Sequence, residues 1–299
     1  MPDVAQTMNL TPPKTVLLRQ AAGNRSIGAI LVDAGKLSLQ DAERILALQH
    51  EQGLRFGDAG LNLGVLKPED ISFALARQFD YPYLLAGESN VAKEIVAAYE
   101  PFSPQVEVLR ALRSQLMLRW FAGERESHTL AIVSPGRGEG RSWLAANLAV
   151  VFSQLGEHTL LIDADLRNPR QHSLFGIENR SGLSSILSHR SQVETIQRIA
   201  SFVDLSVLPS GPIPPNPQEL LSRPMFAKLL HELAGEFDVI IIDTPAAAAY
   251  ADAQTIATRA SGALLLARKH ATIIGALSVL TDNLRQTGVE VVGSTVSDF

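Results

Sequence analysis

A chain of 299 residues, 46% hydrophobic and 19% charged, holds enough apolar material for two folded units of about 100–200 residues each. It contains no cysteine, which excludes disulfides, thiol catalysis and cysteine metal sites. A net charge of −5 gives no general attraction to nucleic acid or to an anionic membrane. No apolar run approaches the ~18 residues of a membrane helix, and no basic, then apolar leader opens the chain. The expectation is a cytoplasmic protein without a nucleic-acid partner.

Residues 1–24 are polar, with a Pro12-Pro13 pair, and predict a flexible tail with a short helix near Val16–Ala22. The next domain, expected over 25–86, contains an internal repeat: Arg55–Gln78 restates Ser26–Gln49. The pairs Gly28/Gly57, Gly35/Gly64, Leu37/Leu66, Leu46/Leu75 and Gln49/Gln78 match. Each copy predicts a short helix, a turn at its second glycine and a helix opened by Ser38 or by Pro68-Glu69. Gly35 and Gly64 suit a position of positive φ just past a helix end.

This two-copy pattern resembles the MshEN domain, the cyclic di-GMP-binding N-terminal domain of type II secretion and pilus-assembly ATPases. The resemblance implies a cyclic di-GMP site built from Ile27, Gly28, Leu31, Gly35, Gln49, Arg55, Phe56, Gly57, Gly64 and Gln78. Arg55 matches the family's arginine in the second copy, while Ser26 stands where the first copy should have one. Phe56 replaces a leucine, and Gly60 replaces an apolar residue.

Residues 87–103, with Pro101, predict a linker. A helix is expected from Pro104 to Phe121, capped by Ser103, with proline at its first position. It places Glu107, Arg110 and Arg113 on one face, by spacing a solvated charged face.

From Thr129 onward the pattern is α/β. Apolar runs at Leu130–Val133, Leu160–Ile162, Leu205–Leu208, Val239–Ile242, Ala263–Ala267 and Val289–Val292 alternate with helical stretches, as buried parallel strands do. The first run leads into Gly136, Arg137, Gly138, Glu139, Gly140, Arg141 and Ser142, then a helical pattern over Trp143–Leu155. Small residues before a helix N-terminus let backbone N–H groups turn towards phosphates. Two positions depart from G-x-x-x-x-G-K-[ST]: Pro135 replaces the first glycine and Arg141 the lysine. Asp163 and Asp165 close the next run on one side of the strand, and Asp243 closes FDVIIID. Carboxylates at strand ends beside a phosphate loop can hold Mg²⁺, with the Ser142 hydroxyl as a further ligand. The expected fold is a P-loop NTPase with a doubly wound, mostly parallel sheet over 104–299, preceded by the small helical domain.

Residues 103–299 resemble the bacterial tyrosine kinases of polysaccharide export. The resemblance is carried by LLIDADLRNP, GLSSIL (Gly182–Leu187), VLPSGPIPPNPQELL (Val207–Leu221) and the Glu107/Arg110/Arg113 triplet. With the repeat in front, the chain is most similar to the chain-length determinant kinases of the EpsG type. The resemblance implies ATP and Mg²⁺ as cofactors, with Gly136 to Trp143 around the phosphates. Ser142, Asp165 and Asp243 would serve the metal, Asp163 and Asp165 the attacking tyrosine, and Arg141 the phosphate charge. It also implies a homo-oligomeric ring through Glu107, Arg110 and Arg113. A membrane-bound polysaccharide chain-length determinant protein would be the partner, recruiting the chain to the inner membrane, and a tyrosine protein the substrate. The chain's tyrosines are Tyr81, Tyr83, Tyr99 and Tyr250, none in its last stretch, so the acceptor is another chain or one of these four. Two alternatives stand beside this reading. One is a MinD/ParA-like ATPase switch, whose extra loop lysine would fall at Gly136. The other is a nucleotide-binding adaptor without catalysis.

Overall fold

The computed structural model describes residues 26–79, 82–84, 87, 89–121, 129–191 and 195–298. The expected tail over 1–24, with its helix near Val16–Ala22, lies outside the described residues, as does Tyr81. The chain divides into two compact units between Pro82 and Tyr83.

The first unit contains helices α1 (Ile27–Asp33), α2 (Leu39–Gln52), α3 (Phe56–Asn62) and α4 (Pro68–Gln78). The two copies of the repeat form two helix pairs, as their spacing predicts. Ser38 caps α2 by accepting from Asp41 N at 3.0 Å, and Asp70 accepts from Lys67 N at 3.1 Å at the start of α4. Gly35, at φ +68°, donates to Val32 O while Lys36 N donates to Leu31 O, both at 2.9 Å, which closes the end of α1. The copies share their cores, since α1 packs on α4 and α2 on α3. Gly60 is explained by this packing, because a Cβ there would overlap Leu66 and press on Ile45.

The second unit is built on a seven-stranded sheet. In chain order its strands are β1 (Thr129–Val133), β2 (Thr159–Asp163), β3 (Gln197–Arg198), β4 (Leu205–Leu208), β5 (Val239–Asp243), β6 (Gly262–Arg268) and β7 (Glu290–Ser297). In space they run β3-β4-β2-β5-β1-β6-β7, all parallel except the short β3. Strands β1, β2 and β5 are buried at every position, which is why they read as unbroken Val/Ile/Leu runs. The expected strands lie where the sequence put them, except that β7 runs on to Ser297, and β3 carried no readable signal.

The segment 87–103, expected as a linker, is instead part of this unit. Val91, Ile95, Ala97 and Ala98 are buried, and α5 (Val96–Tyr99) lies within it. Its anchor is Asn147, fully buried on α7 (Arg141–Ser153). Asn147 Oδ1 accepts from Ala97 N at 3.0 Å, and its Nδ2 donates to Trp143 O at 2.9 Å. A buried amide so satisfied fixes the strap without the penalty of an unpaired polar group. Proline and loop residues marked the strap as exposed, but its apolar residues found a surface only the fold supplies.

The helix expected over 104–121 begins as predicted. Ser103 accepts from Val106 N at 3.3 Å at the start of α6 (Pro104–Leu116). It then widens into a π turn, Met117–Phe121. That turn delivers Trp120, whose Nε1 donates to Thr129 O at 3.1 Å. Gly262 makes room for the indole, since a Cβ there would overlap the ring. Among the described residues no helix is long and apolar enough to cross a membrane.

Candidate active site

The site forms where β1, β2 and β5 end together, beside the N-terminus of α7. Gly138 and Gly140 sit at φ +70° and +99°, conformations that cost a side-chain-bearing residue about 1–2 kcal/mol. These turns let residues 136–140 fold over the helix end. The loop is held from below and beside. Glu139 is buried and accepts from Gly136 N at 2.7 Å and from the Thr272 hydroxyl. Arg268 Nη1 donates to Gly138 O at 3.0 Å, and Ser297 Oγ donates to Glu139 O at 3.1 Å. The ends of β6 and β7 therefore brace the loop, which explains why β7 extends beyond its expected end.

Arg141 is 9% exposed. Its Nε donates to Thr244 O at 2.8 Å, and its Nη1 to Gly136 O at 2.6 Å and to the Ser134 hydroxyl. Burial lowers its pKa, while Asp243, Asp165 and Glu139 act to raise it. An arginine so placed keeps its charge. The fork thus ties the strand end, the loop and the start of the helix together, a task one ammonium could not perform with the same geometry.

The carboxylates divide by exposure. Asp163 and Asp243 are register partners on β2 and β5, and both are fully buried. Asp163 Oδ2 accepts from Arg170 N at 3.0 Å and Gln171 N at 2.9 Å, at the start of α8 (Gln171–Phe175). Asp243 Oδ2 accepts from Gln171 Nε2 at 2.8 Å, and its carboxylate is also paired with Ser142. The other oxygen of each, Asp163 Oδ1 and Asp243 Oδ1, is buried without a hydrogen-bond partner. Burial, with Asp243 alongside, raises the Asp163 carboxyl well above the ordinary range, and burial pushes Asp243 up to about 6. Asp243 Oδ1, with the Ser142 hydroxyl beside its carboxylate, offers oxygen donors to a hard divalent cation such as Mg²⁺. Asp165 differs: it accepts from Arg167 N at 3.1 Å and Asn168 N at 2.9 Å, and it stands on a cavity wall.

That cavity measures about 520 Å³, the size of a small-molecule site. Arg137, Arg141, Ser142, Trp143, Asp165 and Arg170 contribute to its wall. The structure thus brings Arg137, Gly138 and Gly140 to Trp143 of the predicted loop, with Asp165, onto one cavity; Gly136 and Glu139 bond to each other and are not part of its wall, and Asp163 and Asp243 are closed off from solvent at the strand ends. Gln171 was not singled out in the sequence, yet it links Asp243 to Ser142 O at 3.1 Å. Arg170 was also missed and pairs with Glu94 at 2.7 Å. Their one readable signal was their place in the first turn after the Asp163-Ala-Asp165 loop.

Glu107, Arg110 and Arg113 do not line this cavity. Arg113 Nη1 donates to Val151 O at 2.8 Å. Arg110 pairs with Glu107 and donates to Pro101 O, so of the three Glu107 is the outward member, with its side chain 63% exposed. In the first unit Leu31 is core, Gly28 lies against Phe56 and Gly57 against Ile71. Ile27, Gln49 and Gln78 are half-buried, Gly35 and Gly64 stand at exposed turns, and Arg55 is exposed at the N-cap of α3.

Comparison with known proteins agrees with this geometry. Residues 129–276 match the family "Cellulose biosynthesis protein BcsQ". The tyrosine-protein kinase YwqD of Bacillus subtilis is 42% identical over 178 residues, covering 60% of this chain and 74% of that one. The kinase domain of Escherichia coli tyrosine kinase ETK superposes with a TM-score of 0.65 at 32% identity, covering 68% of this chain and 79% of that one. The chimerical protein CapA2B2 gives 0.64 at 32% identity, covering 74% and 96%. By its phosphate loop, its strand-end carboxylates and these likenesses, the chain belongs to the bacterial tyrosine-kinase family.

Proposed function

We propose that this chain transfers the γ-phosphate of ATP to a protein tyrosine and thereby regulates the synthesis, chain length or export of an exopolysaccharide. The observation that carries this reading is the pair of unpartnered oxygens, Asp163 Oδ1 and Asp243 Oδ1, beside a braced phosphate loop. Backbone groups from Gly138 to Trp143 and the Arg141 charge bind the triphosphate. Mg²⁺, held by Ser142 and Asp243 with Asp165 nearby, would neutralise the phosphate oxygens. Asp163, with a free oxygen and a raised pKa, takes the phenolic proton, and Asp165 steers the hydroxyl from the cavity wall. Such catalysis is mostly positioning and charge stabilisation.

The partner in this reading is a membrane-bound chain-length protein, and the kinase forms a ring through the α6 face of Glu107, Arg110 and Arg113. The repeat unit senses cyclic di-GMP through Arg55 and its glycine turns. Incubation with ATP·Mg²⁺ and the synthetic polymer poly(Glu,Tyr), read by anti-phosphotyrosine detection, tests the kinase. Signal is expected in the wild type and absent in Asp163→Asn. Equal signal in both would sink the assignment.

A second reading is a nucleotide-gated adaptor, favoured by the three protein acceptors that already engage Arg141. Nucleotide binding without phosphotransfer would select it.

A further inference from the structure

Gln171 opens α8 and is fully buried, although it is polar. Its backbone N–H donates to Asp163 Oδ2 at 2.9 Å, and its side-chain Nε2 donates to Asp243 Oδ2 at 2.8 Å and to Ser142 O at 3.1 Å. One residue therefore holds both strand-end carboxylates, the first by main chain and the second by side chain. The amide can face only one way, because both partners of Nε2 are acceptors. Its Oε1 is buried and has no hydrogen-bond partner among the described residues. Helix α8 has five residues, too few to stand alone, and the strap supports it. Ala92 N donates to Leu174 O at 2.7 Å, and Gly176, at φ +62°, ends the helix where a Cβ would overlap Asn90.

We infer that Gln171 is a positioning residue for the divalent cation: its amide ties one oxygen of Asp243 so that Oδ1 is left to the metal, and it fixes the start of α7, which carries the Ser142 hydroxyl. The inference rests on the Mg²⁺ reading above and deepens it. A carboxylate with one oxygen held by an amide N–H loses its free rotation, so its second oxygen is presented in one direction. Ser142, the other proposed ligand, is tied through its carbonyl to the same amide, which sets the two ligands at one spacing. Oε1 is an acceptor suited to a hydrogen bond from a cation-bound water. Packing alone does not account for the residue, since a methionine of similar volume would fill the space without burying an unpaired oxygen. The Asp163 contact is made by the main chain and survives replacement of the side chain. Changing Gln171 therefore separates the carboxylate that serves the cation from the one proposed to take the phenolic proton.

The experiment is the Mg²⁺ dependence of nucleotide binding by the full chain, read by titration with fluorescent ADP at a series of Mg²⁺ concentrations and in EDTA. Gln171→Met is compared with the wild type. Gln171→Asn, whose amide is one methylene too short for Asp243, takes its place if the first variant does not fold. The Mg²⁺ concentration at half effect is expected to rise about 10–100-fold in the variant, with ADP affinity in EDTA unchanged. Poly(Glu,Tyr) phosphorylation should fall at low Mg²⁺ and return towards the wild-type rate when Mg²⁺ is raised. An unshifted Mg²⁺ dependence in a folded variant would overturn the inference and leave the kinase reading standing. So would an equal loss of ADP affinity with and without Mg²⁺, which marks a packing role. Wild-type binding indifferent to Mg²⁺ would overturn the cation site and this inference together.

Discussion

Arg55 and Arg141 both stand at the N-terminal end of a helix, and both match positions that resemble phosphate-binding arginine or lysine sites. The fold treats them in opposite ways. Arg55 is exposed at the N-cap of α3 and makes no side-chain cap hydrogen bond. Arg141 is nearly buried in the first turn of α7 and donates to a strand end, a loop carbonyl and a serine hydroxyl. A ligand at Arg55 must order an exposed side chain, at a cost of roughly 0.5–1.5 kcal/mol. A phosphate at Arg141 meets a charge already in place. The Arg55 side chain is thus left to solvent, and the Arg141 side chain is preorganised for chemistry.

The comparison can be broken most severely at the carboxylates that complete the preorganised site. Asp163→Asn keeps the volume but removes the proton acceptor, and phosphotransfer should fall by about 10²–10⁴-fold while nucleotide binding persists. Steady-state rates, paired with fluorescent ADP titration, check both parts. Next in size is Arg141→Lys. Lysine keeps the charge but cannot engage Thr244 O, Ser134 Oγ and Gly136 O with a planar fork, so a buried acceptor goes unpaired. Stability should drop by about 1–3 kcal/mol in urea unfolding, with phosphotransfer reduced less than in Arg141→Ala. Asn147→Ala, which frees the strap from α7, should cost about the same range without touching the cavity.

A smaller effect depends on pH. Burial pushes Asp243 up to about 6, so through this group the folded state binds more protons than the unfolded chain between roughly pH 4 and pH 6, and Asp163 is raised in the same direction. Stability without ligand therefore falls as pH rises through that window, and the Asp243 penalty is developed above it. A cation held at the free Asp243 oxygen relieves it. ADP with Mg²⁺ should thus raise the melting midpoint more at about pH 7.5 than at about pH 5. Equal gains would remove Asp243 from the metal site. Smallest is Arg55→Ala: under the proposed cyclic di-GMP reading, calorimetry should show heat with the wild type and none with this variant, while stability changes by less than about 0.5 kcal/mol.

Much of the fold was legible because its cues are local. The glycine turns of the repeat, the Ser38 and Ser103 caps and the apolar runs of β1, β2 and β5 all follow from short stretches of chain. The strap over 87–103 was not legible, since what holds it is Asn147, far along the chain. The same holds for Gln171, whose role depends on Asp243 and Ser142 meeting it from two other elements. For Arg141, the letter alone announced a departure from lysine, but whether the departure was a defect or a brace depended on where three acceptors stood.

By itself the sequence determined the alternation of strand and helix, the two-copy repeat and the chemical inventory of the site, because periodicity, capping and residue type act over a few residues. Only the tertiary structure decided which carboxylates are closed off, that Gln171 is drawn up to Asp243 and Ser142, and that Arg141 is clamped while Arg55 is left in water. Those outcomes depend on burial and on hydrogen-bond partners brought together from distant parts of the chain, and no local pattern encodes either.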